Sequence, residues 1–257
     1  GAVTGAGLVN INASGGTVIV DGSSSLGSTG GVTITDGTLQ VTGANKLPSS
    51  GTVTVATSKT LDLDQSQSVA SLAGAGTVDI ASGITLSLTD TGTIGILAGT
   101  GTVDVANTKT LTLTDTGTIG LLAGTGTVSV ASGESLTLSG TGTVATAIEG
   151  AGNLAISGTV AQTGTVSNSG TRTIASGGTW KLGPAAMTYA VANAGTLEFN
   201  SAGTIGNGAV TGAGLININA SGATVVVDGS SSLGSTGGVT ITDGTLQVTG
   251  ANKLPSS

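Results

Sequence analysis

LAGAGTVDIASGITLSLTDTGTIGI (72–96), LAGTGTVDVANTKTLTLTDTGTIGL (97–121) and LAGTGTVSVASGESLTLSGTGTVAT (122–146) follow one another without a gap and align at a spacing of 25 residues. Each segment carries two short alternating runs. Val78/Ile80, Val103/Val105 and Val128/Val130 recur in the first, and Leu86/Leu88, Leu111/Leu113 and Leu136/Leu138 in the second. A further apolar position follows a TGT turn at Ile94 and Ile119, with Val144 as its counterpart. Alternation with period two puts the apolar side chains on one face of a strand and Thr, Ser or Asp on the other. No helical periodicity is present; the runs are rich in β-branched residues and are separated by Gly, Ser, Asn and Asp. Strands this short do not form stable hairpins alone. Stacked turn on turn, each pairs with an equivalent above and below and the turns share one continuous interior. The expectation is an all-β chain, a right-handed parallel β-helix (β-solenoid), since parallel crossovers are nearly always right-handed. Taking the repeating unit as one coil gives about 23–25 residues per coil.

Outward from this core the same columns continue more loosely. Val9/Ile11, Val32/Ile34, Val53/Val55, Leu154/Ile156, Ile174, Leu197/Phe199 and Ile216/Ile218 extend the first column. That makes roughly nine coils in 207 residues, rising on the order of 40 Å at ~4.8 Å per coil. A longer repeat frames all of this. Residues 1–50 return at 208–257 with three differences: Val9 against Ile216, Gly16 against Ala223, and Ile19 against Val226. Residues 1–207 therefore read as one long tandem repeat, 208–257 as the start of the next copy, and 1–257 as a single continuous β-helix segment. A chain copied along its own length is built to extend, which points to a structural role.

Composition narrows the function classes. Of 257 residues 47 are Gly, 7% are charged and 1% aromatic, yet mean hydropathy is +0.41, too apolar for a disordered chain. Thirteen acids against six bases give a net charge of −7, with no basic patch for nucleic acid or anionic lipid. No apolar run approaches the ~20 residues that span a bilayer. With no signal-peptide pattern at Gly1, export would use a signal upstream. The absence of His and Cys excludes Ser/His/Asp and Cys/His nucleophilic sites and the usual zinc sites.

The remaining chemistry is sparse, and no catalytic, cofactor-binding or metal-binding residue is assigned. Asp62 and Asp64 flank Leu63 and are expected on a solvated face, although paired carboxylates could serve polysaccharide hydrolysis. Asp79/Asp104 and Asp90/Asp115 are each 25 apart. If the unit is one coil, each pair stacks, and calcium could relieve the repulsion; salt screening is the simpler account. Thr85/Ser87/Thr89, Thr110/Thr112/Thr114 and Ser135/Thr137/Ser139 would likewise form an outward hydroxyl array of the kind seen on ice-binding solenoids, or simply strand-favouring threonines in register. The GAG and GTG triplets read as corners, because no helix or GK[ST] follows. Trp180, Met187, Tyr189 and Phe199 are expected to plug a wider part of the interior, with a ligand patch as the alternative. Asn12-Ala-Ser14 and Asn219-Ala-Ser221 fit a glycosylation acceptor and equally a stacked asparagine turn.

GTLQV (37–41), GANKLPSSGTVTV (43–55), LDLDQSQSVASL (61–72) and GAGTV (74–78) together resemble the passenger-associated repeat of autotransporter proteins, and the match recurs in part from Asp243. The resemblance implies a β-helical passenger exported through a C-terminal β-barrel to the surface of a bacterial cell. The expected function is the non-catalytic shaft of an extracellular fibre or giant adhesin. Its partners would be further copies of the repeat, in the same chain or end to end, and other cells or surfaces contacted through regions outside this segment. A binding module for ice or carbohydrate is the alternative, and a polysaccharide-active enzyme stands below it.

Overall fold

The computed structural model describes residues 1–182, 187–206 and 208–255. None of these residues is helical, and the strands stack in parallel as a β-solenoid of about 13 turns. In the regular region a turn consists of three strands, Thr77–Ile80, Thr85–Leu88 and Gly92–Ile94. The next strand, Ile96–Gly99, lies directly on the first, Thr77 pairing with Ile96. The cross-section is therefore three-sided, and here a turn closes in about 19 residues.

This corrects the expected 23–25 residues per coil. The 25-residue unit contains four strands on a three-sided solenoid, so one unit spans one and a third turns and three units span four. Equivalent residues consequently fall on different sides. Val78 stacks between Leu61 and Leu97, Val103 between Leu86 and Leu122, and Val128 between Leu111 and Ile148. All of these side chains are fully enclosed. The extra strand escaped notice because LAG offers one inward side chain, Leu97 or Leu122, and so shows no alternation. Each enclosed Leu, Ile or Val contributes on the order of 1.5–3 kcal/mol.

The corners explain the glycine content. Gly74, Gly99 and Gly124 turn with φ of 99°, 93° and 78°. Gly120 is needed for a different reason: a Cβ there would lie 2.1 Å from the Thr100 carbonyl oxygen of the turn below. Where Gly83 and Gly133 take a left-handed corner, the equivalent positions hold Ser58 (φ 62°) and Thr108 (φ 64°). A β-branched residue in that region is strained.

The longer repeat also fails to close on whole turns. Val32–Val41 wraps two sides, bending at Gly37; residues 32–34 pair with Thr52–Val55 and residues 38–41 with Thr60–Leu63. Val9 stacks under Val32 and Val53, on one side. Its counterpart Ile216 stacks on Leu197, which continues a column through Trp180 and Val160, two sides further round. The 207 residues thus make ten and two-thirds turns, about 19 residues each, in place of the nine coils expected. At ~4.8 Å per turn one copy rises about 50 Å.

Replacing the strained Thr108 tests the corner account. Thr108→Gly should stabilise the chain by about 1 kcal/mol, strain relief exceeding the entropy that glycine adds to the unfolded state. Urea unfolding followed by circular dichroism measures it. An unchanged or lowered midpoint contradicts the assignment of strain to that corner.

Candidate functional site

Three places carry the polar or aromatic chemistry. The acids come first. Asp79 does not stack with Asp104; it pairs with Asp62 below and Ala98 above. Asp104 pairs with Ser87 and Ala123. Asp90 instead binds Lys109, Nζ to Oδ1 at 2.9 Å, while the Asp115 amide bonds the Gly95 carbonyl. Both expected ladders are corrected for the same reason: a spacing of 25 residues turns the chain by one side too many. The acids that do meet are Asp62 and Asp79, with Asp64 beside them. Burial first, and then Asp64 and Asp79, raise the Asp62 pKa. Asp64 accepts a hydrogen bond from Gln40 Nε2 at 2.8 Å. Among the described residues no group of three acids is placed to hold a metal ion.

The hydroxyl array is divided in the same way. Thr85–Leu88, Thr110–Leu113 and Ser135–Leu138 belong to three different sides. Ser87 faces outward beside Asp104, Thr112 beside Thr93 and Ser129, and Thr137 beside Thr118 and Ala155. No flat threonine lattice of the ice-binding kind results.

The aromatic residues do fill the interior. Trp180, Met187 and Phe199 are buried, and Tyr189 is partly so. Trp180 and Tyr189 stack at 6.0 Å, and the Arg172 guanidinium carbon lies 4.4 Å from the Tyr189 ring centre. Burial pushes the Tyr189 hydroxyl up to about 12. Arg172 belongs to Arg172–Ile174 and stands in register over the enclosed Leu154, a column position where an aliphatic residue is usual. A cleft of about 470 Å³ opens beside it, lined in part by Asn153, Ser169, Thr171 and Thr211. Sequence reading missed Arg172. The available signal was a lone Arg at an inward parity in a run, RTI, otherwise like the rest.

The longitudinal edges form a further feature. In the first copy Ile34, Val41 and Leu47 are covered by the following turn, with exposures of 0%, 0% and 4%. Their counterparts Ile241, Val248 and Leu254 are 52%, 36% and 46% exposed. What covers the first set is Thr52–Val55, Thr60–Leu63 and the buried Gln67. The Gln67 side chain accepts from the Lys46 and Leu47 amides and donates to the Gly43 carbonyl. At the other edge, Val3 is 47% exposed where its counterpart Val210 is fully enclosed.

The raised Asp62 pKa has a definite sign. A carboxyl whose pKa is raised on folding favours the fold while protonated and opposes it as pH rises through the folded value. Asp62→Asn should therefore raise the melting temperature by a few degrees at most at about pH 7 and leave it unchanged at about pH 3. Thermal melts at the two pH values test this, and a gain at both would assign the effect to packing rather than charge. No protein-family model, curated protein or solved structure matches this chain, whose architecture is that of a parallel β-solenoid.

Proposed function

We propose that this chain is a stretch of a structural shaft, built from tandem 207-residue copies and free of catalysis, in an extracellular fibre or giant adhesin on a bacterial surface. The observation that carries the reading is the return of residues 1–50 at 208–257 within one unbroken stack of turns. A repeat that continues the stack, rather than starting a second globule, lengthens the object and adds little else. The partner is then a further copy, continued within one chain. The placement outside a bacterial cell rests on the resemblance of residues 36–78 to autotransporter passenger repeats.

The surface supports a passive role. Three of the five lysines pair with acids on a neighbouring turn, Lys59 with Asp36, Lys109 with Asp90 and Lys181 with Glu198. Lys46 and Lys253 donate to the Gly22 and Gly229 carbonyls. Charges of this kind link turns along the axis rather than offering a patch to a partner, and exposed pairs add little to stability.

Small-angle scattering separates a shaft from a compact module. The chain should scatter as a rod on the order of 60 Å long, and a chain with one more 207-residue copy should be longer by about 50 Å at unchanged cross-section. A second copy that widens the particle instead rejects the shaft.

A further inference from the structure

Arg172 is the one cation among the described residues that neither a carboxylate nor a short carbonyl contact satisfies. Every lysine has such a partner, whereas Arg172 makes a single 3.3 Å contact from one terminal nitrogen to the Gly170 carbonyl. Its Nε is enclosed without a hydrogen-bond partner. The Tyr189 ring lies against the guanidinium at 4.4 Å, and an ring contact of this kind leaves N–H groups at the guanidinium edge available. The adjoining cleft of about 470 Å³ contains no acid and presents Asn153, Ser169, Thr171 and Thr211. Its size falls in the range of small-molecule sites, ~300–1,000 Å³.

We propose that this cleft binds a carboxylate-bearing sugar of the uronic acid class, its carboxylate on the Arg172 guanidinium and its hydroxyls on the amide and hydroxyl side chains of the lining. An arginine fork favours a planar carboxylate over a neutral group, and the four polar side chains suit a polyhydroxylated ring better than an apolar acid. The low charge of the rest of the lining leaves Arg172 as the anchor. The inference is independent of the shaft reading, since it uses only the surroundings of one side chain.

Trp180, the sole tryptophan, stacks on Tyr189 and so reports on events at Arg172. Titration of the full chain with glucuronate, glucose and acetate, followed by Trp180 emission and by ligand-observed NMR, tests the site. Glucuronate should bind saturably with a Kd in the millimolar range or tighter, and glucose and acetate at least about tenfold more weakly. Arg172→Leu restores an aliphatic residue over Leu154 and should fold while losing glucuronate binding; Arg172→Gln, which keeps a polar side chain without the charge, should lose it as well. The proposal is overturned if glucuronate fails to saturate by about 50 mM, if glucose or acetate binds as tightly, or if either folded variant retains the response.

Discussion

The backbone groups of each short strand find their partners in the turns directly before and after, and the whole solenoid depends on that axial pairing. Strands of three or four residues have too few bonds and too little apolar surface to persist alone, so their order is borrowed from neighbours about 17–23 residues away along the chain. Close axial approach has consequences at the corners. Gly120 sits where the Thr100 carbonyl leaves no room for a side chain, and most of the left-handed corners among the described residues fall on glycine. Several polar side chains that enter the interior replace a missing backbone partner. Gln67 joins two amides to a carbonyl, Asn168 donates to Gly152, and Asn193 donates to Leu215.

What was legible in the residues, and what was not, follows from the same geometry. Inward and outward parity is a local property of a strand, so Val78, Ile80, Leu86 and Leu88 announce their burial in a window of a few residues. The absence of helix and the parallel stack were legible for that reason. Closure of a turn is not local. It depends on how many corners the chain makes before meeting itself, and one strand of the four in each unit, Ile96–Gly99, has a single enclosed side chain, Leu97. Counting three strands where four exist turned a period of one and a third turns into a period of one. That single error misplaced Asp104 over Asp79 and joined three threonine rows that lie on separate sides. The burial of Trp180, Met187 and Phe199 was legible too, because a few large apolar side chains in a chain of small ones have the most to gain from enclosure.

Charge on this molecule is arranged along the axis. Lys59 reaches back 23 residues to Asp36 and Lys109 reaches back 19 to Asp90, each spanning adjacent turns. Asp62 is the place where the arrangement goes against itself: burial first, and then Asp64 and Asp79, make its carboxyl resist ionisation. Arg172 departs in the other direction, a cation in an aliphatic column with an aromatic ring for company.

The two-thirds of a turn left over in each 207-residue period bears on how the proposed shafts would behave side by side. In an array continued at this period, successive copies present any chosen row of residues to directions 120° apart, and the same direction recurs only after three copies, about 150 Å. A neighbouring filament lying parallel therefore meets no unbroken matching stripe along which to zip. In the proposed array, lateral bundling would be discouraged by phase alone, without charge repulsion.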